Sequence, residues 1–279
     1  MVGFVLKYIR VLVLSLLGSV VAAAANKGPA YVPGPSGRLS IVLQMPKGFD
    51  AARDKCPIVV IMHGVMSNKS MTPMSRIARK LRRNGYAVLR FDFNAHGGSE
   101  GDVLKCTIPS EIADARAIYE YARSLPFVSS VLLLGHSQGG VVAGMLAGEL
   151  AAEGLGPEAL VLLAPGAVLK DYALQGRFMG KKCDPENPPE YVRIGWYKFS
   201  REYIKTAQTL PIFEESAQYQ GPVCVIHGNS DELVPFRYGK MYEDIYRNCM
   251  FFEIPGENHL FSNYPNELTD SILTFLHSL

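Results

Sequence analysis

With 279 residues, 48% of them hydrophobic and 19% charged, the chain can bury a sizeable core in one large α/β domain or two small ones. Its formal net charge is +2, with lysine and arginine scattered along the chain, so it carries no cationic footprint for nucleic acid. No fixed-period repeat or low-complexity tract occurs, which sets aside solenoids and disordered arrays.

The N-terminus differs from the rest. Lys7 and Arg10 precede an apolar run from Val11 to Val21 that ends in Ala22, Ala23, Ala24 and Ala25. A charged start, a short apolar stretch and small residues at its end predict a signal peptide over residues 1–25; the run is short for a spanning helix. The mature protein is then expected to be secreted or periplasmic, with no stable membrane insertion. Gly28, Pro29, Pro33, Gly34 and Pro35 follow and predict an extended arm.

Beyond residue 38, short apolar runs alternate with helical stretches. Strands are expected at 39–44, 58–62, 87–93, 131–135, 159–163, 223–227 and 250–254. Helices are expected at 74–84 with Gly85 as C-cap, at 110–125 after Pro109, and at 138–153, 238–247 and 266–279. Several runs are continuously hydrophobic, as strands covered on both faces must be. The alternation predicts an α/β fold: a mostly parallel, doubly wound sheet with helices on both faces. Residues 166–220 break this rhythm. They show no clear strand but many aromatics and prolines, Tyr172, Trp196, Tyr203 and Phe213 among them. Such a segment is either an irregular surface excursion or a functional insertion; its aromatic density predicts a lid between the two parts of a core at 26–165 and 221–279.

Gly135-His136-Ser137-Gln138-Gly139-Gly140 stands between an apolar strand and a Gly/Ala-rich helix. This is G-x-S-x-G in strand-turn-helix context, a nucleophile elbow. Ser137 must take a strained backbone conformation, and side chains at 135 and 139 would collide across the turn. A serine hydroxyl needs a base, and the elbow of α/β-hydrolases is followed in the chain by the acid and then by the histidine. Of six histidines, His227, His259 and His277 follow Ser137. His227 ends a strand and is expected beneath the acid loop, and His277 lies on the terminal helix. His259 sits in a turn-rich loop after a strand, from which a base can project. The acid should lie after the penultimate strand, which points to Asp231, with Glu232, Asp244 and Glu257 as competitors. Asp231 would hold the imidazole tautomer and stabilise the imidazolium. The oxyanion hole is expected from the amides of Gln138 and of Val65, the latter following Gly64 at the end of an early strand.

Other stretches read more blandly. The loop from Phe91 to Gly101 lacks the Gly-Lys-Ser/Thr ending of a phosphate loop, so Asp92 and His96 are expected in local hydrogen bonds. Cys56, Cys106, Cys183, Cys224 and Cys249 have no metal-site spacing. Cys224 and Cys249 look like packed thiols, and disulfide pairing stays open. No metal and no organic cofactor is expected.

These stretches together resemble the α/β-hydrolase superfamily, and within it the cinnamoyl and feruloyl esterase branch. His63-Gly64 with Asn68-Lys69, the 91–101 loop, and residues 135–140, 160–165 and 210–214 carry the likeness, which spans residues 36–279. The resemblance implies a serine carboxylesterase that cleaves feruloyl, p-coumaroyl or caffeoyl esters through an acyl-enzyme. Its partner would be a small aromatic ester or an ester-decorated plant polysaccharide. It also implies a lid whose residues bind the phenolic hydroxyl. Tyr203 matches such a lid tyrosine, while Asp171, beside Tyr172, stands one residue off the lid aspartate; Trp196 completes the substrate-binding candidates. An acylglycerol hydrolase or peptidase of the same fold and a non-catalytic binding protein on the scaffold are the competing readings. The oligomeric state stays open, a homodimer included.

Overall fold

The computed structural model describes residues 30–50 and 53–279; the signal peptide expected over residues 1–25 lies outside the described residues. An eight-stranded sheet runs through the molecule in the order β1-β2-β4-β3-β5-β6-β11-β12. Its strands are β1 (Ala30–Gly34), β2 (Gly37–Gln44), β3 (Cys56–Met62), β4 (Ala87–Phe91), β5 (Val128–His136), β6 (Leu160–Leu163), β11 (Val223–Gly228) and β12 (Cys249–Ile254). The β1–β2 and β2–β4 pairs are antiparallel and every other pair is parallel.

The hydrophobic runs in these strands serve two cores at once. Because side chains alternate across a strand, Ile58, Val60 and Met62 of β3 enter the core on one face while Val59 and Ile61 enter the other. Val131 and Leu133 likewise separate from Leu132 and Leu134. On the first face lie α2 (Ile108–Ser124), α3 (Gln138–Ala152) and α7 (Arg237–Ile245); on the second lie α1 (Met74–Arg83) and α8 (Pro265–Leu276). Each fully buried leucine or isoleucine contributes about 1.5–3 kcal/mol relative to exposure. A change such as Leu133→Ala would therefore remove part of that burial from the first core.

The expected strands and helices of the core are all present, with shifts at their ends. Helix α1 stops at Arg83, and Gly85 takes φ +87° where the chain reverses. Helix α2 begins two residues early because Thr107 and Ser110 form a capping box and Pro109 fits the first turn. The extended arm pairs as β1 on the sheet edge, where Pro33 is tolerated.

The segment between β6 and β11 is the main correction. It holds α4 (Val168–Leu174), the hairpin β7–β8 (Arg177–Phe178 and Lys181–Lys182), the hairpin β9–β10 (Tyr191–Ile194 and Tyr197–Ser200), α5 (Arg201–Thr209) and α6 (Ile212–Ser216). The expectation of no clear strand fails because these strands are only two to four residues long. One signal was available: Gly195-Trp196 is a two-residue turn with Gly195 at φ +56°, flanked by aromatic and β-branched residues.

Candidate active site

Strand β5 delivers Ser137 at the sheet's C-terminal edge, where helix α3 begins. Ser137 has φ +55° and ψ −122°, a costly conformation for a side-chain-bearing residue that only a tightly determined turn sustains. The Ser137 amide donates to Leu163 O at 2.9 Å, and its carbonyl accepts from Gly140 and Gly166 at 2.9 Å each. A Cβ on Gly135 would lie 2.1 Å from Gly139 O, a collision across the turn as expected. At Gly139 the obstacle is different: a Cβ would meet the carbonyls of His63 and Met62 at 2.5 and 2.7 Å. That glycine lets the elbow press against the end of β3.

The structure brings Ser137, His259 and Asp231 together from three loops. His259 Nε2 lies 2.9 Å from Ser137 Oγ, and His259 Nδ1 lies 2.7 Å from Asp231 Oδ2. With Nδ1 donating to the carboxylate, Nε2 is left to accept the serine proton. Asp231 Oδ1 accepts from the amides of Leu233 and Val234 at 2.9 and 2.8 Å, so the acid loop holds its own carboxylate. Burial of Asp231 acts to raise its pKa, but hydrogen bonds from His227 and His259 outweigh it and hold the carboxyl well below its usual range. Asp231 is thus ionised and ready to stabilise an imidazolium.

The competing residues fall elsewhere. His227 lies beneath the acid loop, its Nε2 3.2 Å from Asp231 Oδ2 and 3.0 Å from Val234 O. Glu232 and Asp244 are exposed, and His277 caps α8 at the surface. Glu257 is buried and accepts from the amides of Asn258, Asn263 and Tyr264. It shapes the His259 loop instead of serving as the acid.

Three residues take supporting roles that the sequence did not assign to them. His136 Nε2 lies 2.9 Å from the carbonyl oxygen of His259. Burial, followed by repulsion from His259, pushes His136 down to about 3. It is therefore neutral and donates to that carbonyl. His63 is also buried and lowered to about 3, chiefly by desolvation. Its Nε2 accepts from Phe93 N at 3.1 Å, which leaves Nδ1–H to donate to Gly64 O at 2.8 Å. Glu111 is the third, with both carboxyl oxygens on Gln138 Nε2 at 2.9 and 2.8 Å. A catalytic motif announces its nucleophile, whereas partners this distant in sequence leave no mark on the motif.

On the oxyanion side, Gln138 is the first residue of α3, so its amide belongs to the unpaired donors of a helix start. Val65 follows Gly64 in the loop after β3, and a Cβ on Gly64 would stand 3.0 Å from Ser137 Cβ. The two expected donors therefore belong to segments that flank the serine. Asp92 accepts from the Lys69 ammonium and amide and from Gly98 N, and His96 Nδ1 pairs with Asn94 O at 3.0 Å. The 91–101 loop is scaffold.

The substrate-binding candidates lie in the 166–220 segment and have unequal freedom. Tyr203 is only 3% exposed, and its hydroxyl donates to Gln138 Oε1 at 2.7 Å. Asp171 accepts from the Tyr238 hydroxyl, and Tyr172 packs partly buried against the core. Trp196 is 57% exposed at the β9–β10 turn, edge-on to His96. The adjoining Gly195 approaches the Met66 side chain in the loop beside Ser137. Among the described residues, all five cysteines are free thiols, no cluster of three or more His, Cys, Asp or Glu could hold a metal ion, and no helix is long and apolar enough to cross a membrane.

The fold agrees with that of known proteins. The family described as serine aminopeptidase, S33 matches residues 53–183. The structure of Est1E from Butyrivibrio proteoclasticus with ferulic acid bound is 30% identical, with a TM-score of 0.83, covering 89% of this chain and 98% of that one. ABHD12B of Homo sapiens is 28% identical over 199 residues, 71% of this chain. The mitochondrial palmitoyl-protein thioesterase ABHD10 of Mus musculus is 25% identical over 198 residues, 68% of this chain. The matches span only 52% and 63% of the lengths of these two curated relatives. The chain belongs to the α/β-hydrolase superfamily. Within it, it is a serine hydrolase that resembles the feruloyl esterases.

Proposed function

We propose that the protein is a carboxylesterase for hydroxycinnamate esters, with Ser137 as nucleophile, His259 as base and Asp231 as its orienting acid. Ser137 Oγ attacks the ester carbonyl while His259 Nε2 takes its proton. The amides of Gln138 and Val65 receive the developing oxyanion. Collapse of the tetrahedral intermediate expels the alcohol, which His259 protonates, and leaves Ser137 acylated. Water activated by His259 then releases the acid and restores the serine. The 166–220 segment acts as the lid, with Trp196 as its accessible aromatic surface and Asp171, Tyr172 and Tyr203 behind it. If residues 1–25 are cleaved as a signal peptide, the enzyme meets its substrate outside the cytoplasm, as small aromatic esters or on plant polysaccharide.

The observation that carries the substrate class is the likeness to a structure binding ferulic acid over nearly the whole of both chains. An acyl-chain or thioester substrate is the second reading, favoured by the likeness to the thioesterase ABHD10. Turnover of methyl ferulate and methyl p-coumarate against p-nitrophenyl alkanoates of increasing length separates the two. The proposal expects kcat/KM highest on the aryl-propenoate esters. A preference that instead rises steadily with alkyl length would reject it in favour of the acyl-chain reading.

A further inference from the structure

Glu111 is a carboxyl that the reaction does not use, yet it lies one side chain away from the elbow. It sits in the first turn of α2, 1% exposed, and among the described residues no cation pairs with it. Burial, partly offset by the hydrogen bond from Gln138, pushes its carboxyl up to about 8. Asp114 on the same helix, Cys106 before it, and Tyr197 and Tyr203 from the 166–220 segment surround it. An apolar side chain there would avoid the desolvation cost of a buried polar group.

What the carboxyl secures is the orientation of one amide. The NH2 of Gln138 faces both oxygens of Glu111, so Gln138 Oε1 faces away and receives the Tyr203 hydroxyl at 2.7 Å. Gln138 directly follows the nucleophile, and its backbone N–H is the oxyanion donor of the mechanism above. Tyr203 lies on α5, inside the segment that starts at Gly166, whose own amide donates to Ser137 O. The segment is therefore tied to the elbow at two points, and one of them runs through Gln138 to Glu111.

We propose that Glu111 is a positioning residue: by orienting the Gln138 side chain it fixes the oxyanion-side amide and clamps α5 of the 166–220 segment onto the nucleophile elbow. This rests on the serine-hydrolase reading of the site but not on the identity of the ester. The reacting atoms never touch Glu111, so its removal should reduce turnover and leave access of a small ester to the site largely intact.

The test uses wild type, Glu111→Ala, Glu111→Gln, Tyr203→Phe and the double variant Glu111→Ala/Tyr203→Phe. Active sites are titrated with a fluorophosphonate, and kcat and KM are measured per titrated site on p-nitrophenyl acetate. Glu111→Ala is expected to lower kcat about tenfold with KM within about twofold. Glu111→Gln, the neutral isostere, is expected to recover most of that loss, and Tyr203→Phe to lose a smaller factor. Because both residues act through one side chain, the double variant should lose less than the product of the single losses. Unchanged kcat per titrated site in Glu111→Ala and Tyr203→Phe, with only yield or thermal stability reduced, would overturn the clamp. So would a double variant that loses the full product. A wild-type protein that neither labels nor turns over would instead overturn the hydrolase reading beneath it, a result readily told apart.

Discussion

The carbonyl oxygen of His259 lies 2.9 Å from His136 Nε2, the residue just before the nucleophile. Their rings are 5.0 Å apart. The elbow thus holds the base loop in place through the same turn that presents the serine, and two segments 123 residues apart share one support.

His136→Ala is expected to leave that carbonyl without its donor, costing about 1–3 kcal/mol of stability. It should also lower kcat more than it raises KM, because the imidazole would be less well aimed. Urea unfolding and steady-state kinetics on the same preparation check both effects. Unchanged values would mean that the His259 loop is set by Glu257 alone.

Gly139→Ala is expected to destabilise the protein by about 1–3 kcal/mol, since the new methyl must displace the carbonyls at the end of β3. The distortion reaches the loop carrying Val65, so activity should fall as well. Calorimetry and kcat/KM check it; a fully stable, fully active variant would show that the elbow has more room than its geometry gives it.

Acid stability follows from the buried imidazoles. His63 and His136 are lowered from 6.5 to about 3, mainly by burial. The folded state therefore binds fewer protons than the unfolded state between these values. Their contribution is complete above pH 6.5 and is lost as pH falls toward 3. His136→Gln, which has no such titration, should make the loss less steep over that range when urea midpoints are compared.

On the alkaline side the sign reverses. Glu111 is raised from 4.5 to about 8, so here the folded state binds the extra proton and stability declines as pH rises through that interval. Asp114, raised to about 6, acts in the same direction at lower pH. Between pH 6.5 and 8 the wild-type urea midpoint should fall while that of Glu111→Gln changes less. Parallel curves for the two proteins would contradict the burial assigned to Glu111.

Much of this was readable from the sequence because the core and the elbow follow local rules. Period-two alternation in runs such as 58–62 and 131–135 is local, and so is the strand-turn-helix setting of Ser137. His259 and Asp231 could be selected from chain order and loop position alone. The two short hairpins in 166–220 could not, because strands of two to four residues lack room for periodicity. Nor could the Tyr203 contact: its hydroxyl is spent on Gln138, a residue 65 positions away, which the tyrosine's place in an aromatic segment does not suggest. The supporting roles of His136, His63 and Glu111 were not legible for the same reason, since each has a partner distant in the chain: His259, Phe93 and Gln138.

The most direct test of the account is kcat/KM on methyl ferulate for wild type, Ser137→Ala and His259→Ala, with folding of each checked by calorimetry. Measurable turnover by the wild type and a loss of about a thousandfold or more in each folded variant are expected. A folded Ser137→Ala protein that hydrolyses the ester at the wild-type rate would contradict the account.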